Sequence, residues 1–104
     1  MARRPVFVCL LRPTRSGFTL ANITPEEQAA MQEHGRYHQR LMAEKKLILS
    51  GPCLDGAFGM GLFEAESAEE MRQIVEHDPA VTSGVCVPEW HPFRLGDIRV
   101  PEEE

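Results

Sequence analysis

Residues 24–50, TPEEQAAMQEHGRYHQRLMAEKKLILS, decide the fold because they join the longest predicted helix directly to a β-strand. Thr24 is a favoured N-cap, Pro25 suits the first helical position, and Glu27 completes a capping box. The helix is expected to run to about Lys45–Lys46, whose positive charges suit the negative end of a helix dipole. The apolar run that closes the stretch, LILS, is typical of a strand.

One ionisable side chain lies in the middle of the apolar face of this helix. With successive residues about 100° apart, His34 falls between Ala30 and Leu41 on one side and Met31 and His38 on the other. Imidazole exchanges protons near neutral pH, so a histidine in a semi-apolar cleft beside a carboxylate can act as a general acid or base. A core histidine held by a hydrogen bond is the alternative, and the pattern leaves both interpretations open.

The rest of the sequence predicts three more strands and a second helix. Residues 6–11, VFVCLL, are apolar on both alternating faces and predict a first strand buried on two sides. Ser67 and Glu70 repeat the capping pattern and begin a second helix, which Asp78–Pro79 ends. This second helix covers roughly 68–77, and the other predicted elements are a loop at 12–23, a turn at Asp55–Gly56, a strand at 60–65 and a last strand near 85–93.

The order β-α-β-β-α-β predicts an α+β, ferredoxin-like fold with a four-stranded antiparallel sheet. Right-handed crossovers place both helices on one face of that sheet. The other face needs a cover, because the first strand is apolar on both sides and the last strand carries Val87 on one side and Trp90 on the other. A second copy of the chain would supply that cover, so we expect a homodimer that packs through its sheets.

Composition and charge limit the class of protein. The chain has 104 residues, of which 42% are hydrophobic, so we expect one domain over 1–104 with a core at about 6–93 and a tail at 94–104. A net charge of −5 without a basic face argues against a nucleic-acid partner. No apolar run is long enough for a membrane span, and no signal peptide is evident. Three cysteines without C-x-x-C spacing suit a reducing cytoplasm.

Several polar residues are candidates for a site with His34. Asp78 follows the second helix, where its carboxylate could orient the imidazole and raise its basicity; capping a turn is its alternative role. Arg12 closes the first strand and is a candidate to bind an anionic substrate, against the ordinary role of a solvated charge. His38 and Ser50 are further candidate substrate contacts.

Metal, phosphate and nucleophile motifs give weaker signals. His34 and His38 have the i, i+4 spacing of metal ligands, but the sequence has no H-E-x-x-H motif and no evident third ligand. The glycine-rich segment 56–61 enters a strand and lacks a GK[ST] ending. No nucleophile elbow is present. We therefore expect neither a metal nor an organic cofactor.

A set of spaced motifs resembles the YCII-related proteins across roughly residues 6–93. The set comprises His34, the segment Leu47–Pro52, Ser67 with Glu70, and the motif Asp78-Pro79-x-Val81-x-x-Gly84. The resemblance implies a dimeric α/β-barrel fold and an active-site His and Asp that map onto His34 and Asp78. It also associates the chain with lyase or dehalogenation-type chemistry on small cyclic or phenolic compounds. The 12–23 loop is longer than in many relatives, so Phe18, Thr19 and Leu20 are expected to shape a different pocket.

Two hypotheses about function follow. The first is a cofactor-independent enzyme in which His34 transfers a proton of a small molecule and Asp78 orients the ring. The second is a non-catalytic binding or regulatory module that uses the same cleft for a small ligand. Metal-dependent or haem-associated oxygenase chemistry is a third, weaker alternative.

Overall fold

A computed structural model describes residues 4–102 and confirms the predicted fold class. Its elements, in chain order, are β1 (Val6–Pro13), α1 (Pro25–Ala43), β2 (Leu47–Pro52), β3 (Gly59–Glu64), α2 (Ala68–Glu76), α3 (Pro79–Thr82) and β4 (Cys86–Phe93). The strands pair antiparallel in the order β2-β3-β1-β4. Residues 94–102 of the expected tail contain no helix or strand, and Glu103 and Glu104 lie outside the described residues.

One face of the sheet carries the core. Phe7, Cys9 and Leu11 alternate along β1 and are buried together with Leu41 of α1 and Met71 of α2. This shared core shows that both long helices cover the same face, as the topology predicted. Because side chains alternate along a strand, the residues between them point to the opposite face.

The start of α1 is held by the predicted capping box and by a loop residue. The backbone N of Thr24 donates to Glu27 Oε1 at 2.9 Å, and the backbone N of Glu27 donates to Thr24 Oγ1 at 3.2 Å. Arg15 donates to both oxygens of the same carboxylate at 2.8 and 3.0 Å. The hydrogen bond from Arg15 and that from Thr24 lower the pKa of Glu27 to about 2. The loop before α1 is therefore tied to the helix terminus.

Three local details differ from the sequence-based expectation. α1 ends at Ala43, because Lys45 adopts a left-handed φ of 61° and the backbone N of Lys46 returns to the carbonyl of Leu41, as in a Schellman motif. Glu70 does not complete a capping box, since its carboxylate accepts from the backbone N of Glu66. A short helix, α3, follows α2 directly and was not predicted.

The turn between β2 and β3 packs closely against the loop before α1. Gly56, in the turn between β2 and β3, is buried and has φ of +80°. A Cβ at this position would lie 2.9 Å from the backbone O of Phe18 and 2.9 Å from Cα of Thr19. The turn and the loop before α1 can pack this closely only because residue 56 has no side chain.

Replacing Gly56 by alanine should therefore destabilise the fold by more than backbone strain alone. A left-handed alanine costs about 1–3 kcal/mol, and the clash with the Phe18 carbonyl adds to it. Gly17→Ala is the matched control, because Gly17 also has a positive φ (+77°) but open space around its Cβ. Urea unfolding should show the larger loss of unfolding free energy in Gly56→Ala; equal losses would contradict the close packing at Gly56.

Candidate active site

His34 and Asp78 meet although 44 residues separate them in the chain. The Nδ1 of His34 lies 2.8 Å from Oδ1 and 2.9 Å from Oδ2 of Asp78. The two side chains are 16% and 6% exposed, so the contact is largely shielded from water. The other ring nitrogen of His34 forms no hydrogen bond with a described residue. This geometry fixes the ring through Nδ1 and leaves Nε2 for a ligand.

Asp78 has two roles at once. It is the N-cap of α3, where Oδ1 accepts from the backbone N of Ala80 at 2.9 Å, and it holds His34. Burial acts to raise the pKa of Asp78, but the hydrogen bonds from His34 and from the backbone of Ala80, together with the nearby ring of His38, outweigh burial and lower it to about 2. Asp78 is therefore an anion at neutral pH, as a group that orients an imidazole must be.

His38 packs against His34 and also lines the space beside the pair. Its ring centroid is 3.9 Å from that of His34, and it packs edge-on against Phe63 at 5.8 Å. Its Nε2 is buried, 3.4 Å from Oδ2 of Asp78, and forms no hydrogen bond of good geometry. Through this atom His38 faces the carboxylate, and the expected substrate contact of its ring stays a prediction.

A cavity of about 490 Å³ opens at this pair, between the helices and the sheet. Its wall is mostly apolar, and it includes the side chains of Phe18 and Leu20 from the loop before α1. Ser50 also lines it, from an exposed position on β2. A volume of this size is within the range of small-molecule sites.

Arg12 is not part of the cavity wall. It lies on the opposite face of the sheet from Leu11, where it donates to Glu89 at 3.1 Å. This position follows from the alternation of β1 and takes the guanidinium away from His34. The structure therefore gives no support to the expected anion contact by Arg12.

Three cysteines line the cavity, Cys9, Cys53 and Cys86, and none was predicted as part of the site. Cys9 and Cys86 both face the cavity, as the alternation of their strands would have indicated. Burial, with a smaller effect of the Asp78 charge, raises the pKa of Cys9 to about 12 and that of Cys86 to about 11. Both are neutral thiols at pH 7, so they act as apolar lining and not as nucleophiles.

His34, His38 and Asp78 are also the best candidate metal ligands in the described part of the chain. Their ligand atoms lie within 4.8 Å of one another, and Asp78 is the third ligand that the sequence analysis did not find. Two ligands of a tetrahedral zinc ion stand about 3.3 Å apart, because each is about 2.0–2.1 Å from the metal. The 2.8 Å contact between His34 and Asp78 is shorter and has the length of a hydrogen bond. The present geometry therefore fits a shared proton better than a shared metal.

Comparison with known proteins gives a family, a relative and a fold. The sequence model of the YCII-related domain matches residues 6–93. The uncharacterised protein YjpA of Bacillus subtilis strain 168 is 38% identical over 80 residues, which cover 70% of this chain and 94% of YjpA. 5-Chloro-2-hydroxyhydroquinone dehydrochlorinase (TftG) of Burkholderia phenoliruptrix AC1100, solved with 2,5-dihydroxybenzoquinone, is 23% identical with a TM-score of 0.62. That comparison covers 86% of this chain and 95% of TftG, and it shows a common fold.

The Asp78 carboxylate should make stability fall between about pH 4 and pH 2. Its pKa in the folded protein, about 2, is below its ordinary value of 3.8, so its contribution is complete above pH 3.8 and disappears as the pH falls through 2. The contribution is roughly 2 kcal/mol. Asp78→Asn keeps an N-cap acceptor but carries no charge, so it should lose this part of the pH dependence.

Urea unfolding at pH 4.5 and pH 2.5 measures the effect. Asp97→Asn is the matched control, because Asp97 is exposed in the segment that follows β4. It should retain the pH dependence of the wild type. An Asp78→Asn variant that loses as much stability as the wild type over this range would contradict the assignment.

Proposed function

The chain belongs to the YCII-related domain family, and we propose that it is a cofactor-independent enzyme that uses His34 and Asp78 for acid/base chemistry on a small molecule. The observation that carries the proposal is the contact of Nδ1 of His34 with both oxygens of Asp78, at 2.8 and 2.9 Å, at the edge of an apolar cavity. A histidine with a purely structural role needs one hydrogen-bond partner and no cavity beside its second ring nitrogen. A general base needs both a partner that orients the ring and a cavity that admits the substrate.

The chemistry begins with a proton transfer to Nε2 of His34. Asp78 accepts the hydrogen bond of Nδ1–H, keeps Nε2 unprotonated and ready, and balances the positive charge that forms on the ring. The cavity wall excludes water from this charge pair, which strengthens the interaction. In the reverse direction the imidazolium returns its proton to a carbon, an oxygen or a leaving group.

Elimination is the reaction type that this arrangement supports best. His34 takes a proton from a C–H or O–H group of the substrate, and the electron pair of that bond forms a new double bond. The leaving group departs with the electrons of its own bond to carbon, and the proton on His34 later passes to water. The net change is loss of HX, which needs no redox partner. The name of the structural relative, a dehydrochlorinase, describes a reaction of this type.

We also propose that two copies of the chain associate through the uncovered face of the sheet. That face carries Val87, Phe93 and Met60, which are 54%, 42% and 36% exposed. These side chains share the face with the Arg12–Glu89 ion pair, and exposed apolar surface on an open sheet is typical of an interface. The three cysteines are unpaired, which supports a site of action in the cytoplasm. No helix in residues 4–102 is long and apolar enough to cross a membrane.

Replacing His34 by glutamine should lower kcat by about 10² to 10⁴, the usual contribution of one positioned acid/base group. Chloride release from chlorinated hydroquinones is a suitable assay. His77→Gln is the matched control, because His77 is exposed at the end of α2 and its ring forms a hydrogen bond only with the carbonyl of Gln73 among residues 4–102. The control should keep full activity. Ligand binding without any turnover in the wild type would favour the binding-module hypothesis, and full activity of His34→Gln would contradict the proposal.

Light scattering at micromolar concentration should give about twice the chain mass of 11.7 kDa. Val87→Glu should shift the protein to a monomer, because a carboxylate at a closed apolar interface loses its water. Leu54→Glu is the control, since Leu54 is 87% exposed in the turn between β2 and β3, away from this face. A monomeric wild type would show that the uncovered face is not an interface between copies.

A further inference from the structure

The charges around the cavity restrict what it can hold. No lysine or arginine lines it among residues 4–102, and Asp78 is its one carboxylate there. Both oxygens of Asp78 are already occupied by His34, with the backbone of Ala80 on Oδ1. A carboxylate or phosphate on a ligand would find no fixed cation, and an ammonium group would find the side chain of Asp78 only 6% exposed. A charged ligand would lose its water without compensation.

Two glycines that line the cavity, Gly35 and Gly51, are not required to be glycine by the fold. A Cβ on Gly35 or on Gly51 would meet no atom within 4 Å, and neither residue has a positive φ. By contrast, a Cβ on Gly61 would approach the ring of Phe63 at 2.7 Å, so packing explains that residue. Neither backbone conformation nor packing explains Gly35 and Gly51.

Gly35 is the more informative of the two, because it lies inside a helix. Glycine is among the least favourable residues in a helix interior. The residues of α1 that line the cavity span an arc of about 140° from His34 to Gln39, and Gly35 falls within this arc. A side chain at position 35 would therefore extend into the cavity next to His34. The space that it leaves free is available to a ligand.

We propose that the cavity binds an uncharged, compact molecule that presents one polar group to Nε2 of His34, and that Gly35 keeps open the space that this molecule occupies. The inference rests on the proposed function in one respect, since it takes the same cavity as the site. It adds the charge class of the ligand and a residue that determines specificity. Ser50 is an exposed polar residue of the wall and is available to a second hydroxyl or carbonyl group of the ligand.

Three phenols that differ in one substituent test the charge class. Calorimetric titration at pH 7.5 compares 4-methylphenol, which is neutral, with 4-hydroxybenzoate, which adds a negative charge, and 4-hydroxybenzylamine, which adds a positive one. The neutral phenol should bind at least tenfold more tightly than either charged one. Equal affinities, a preference for a charged phenol, or no binding of 4-methylphenol at 10 mM would overturn the inference.

Variants of Gly35 test its role independently of enzyme activity. Gly35→Ala and Gly35→Leu replace glycine with better helix formers, so both should unfold at a higher temperature than the wild type. Their affinity for 4-methylphenol should nevertheless fall, by tenfold or more for Gly35→Leu. Gly96→Ala and Gly96→Leu are the controls, because Gly96 also has open space around its Cβ but does not line the cavity. Unchanged affinity in Gly35→Leu would exclude the role of Gly35.

These binding measurements separate the two proposals. Selective binding of the neutral phenol, with no reaction that depends on His34, would retain the ligand class and contradict the acid/base function. Turnover of a charged substrate that depends on His34 would retain the function and overturn the ligand class.

Discussion

The buried carboxylate of Asp78 is the group on which the arrangement of the site depends. A carboxylate whose side chain is 6% exposed is costly unless several donors compensate for the lost water. The donors come from separate parts of the chain, since the backbone of Ala80 belongs to α3 and the ring of His34 belongs to α1. The contacts that make the burial tolerable therefore also fix the position of α1 relative to the segment after α2. Orientation of the imidazole and packing of the helices have one physical cause.

The parts of the fold that depend on local signals could be predicted from the sequence. The start of α1 follows from the capping box at Thr24, and the alternation of β1 determines which residues face the helices.

Two details of the site could not be predicted from local sequence patterns. Asp78–Pro79 is as good a beginning for a helix as an ending, and the full burial of Ala80 shows that tertiary packing favours the beginning. The contact of His38 with Asp78 depends on the same packing. The pairing of His34 with Asp78 was inferred from topology and from the family resemblance, because no local pattern joins residues that are 44 positions apart.

The loop before α1 shows a further limit of local patterns. Its apolar residues Phe18 and Leu20 were expected to shape the pocket, and the structure places both in the wall. The side chain that holds the loop is Arg15, which binds the Glu27 carboxylate that already serves in the capping box. One carboxylate with several acceptor sites can satisfy a helix terminus and a distant guanidinium together. A sequence pattern identifies the first partner but not the second.

Gly35 departs from the rule that local and global preferences agree in a folded protein. A helix that is well capped at Thr24, with good helix formers along most of its length, has no local reason to contain glycine beside its central histidine. Sites where a sequence departs from its own folding preferences are expected to be functional. Two such departures occur at this cavity, a glycine inside a helix and a buried carboxylate. The glycine leaves space next to the ring of His34, and the carboxylate fixes the ring. The glycine lowers the stability that the helix could reach, and together the two leave an oriented imidazole facing an open, apolar space.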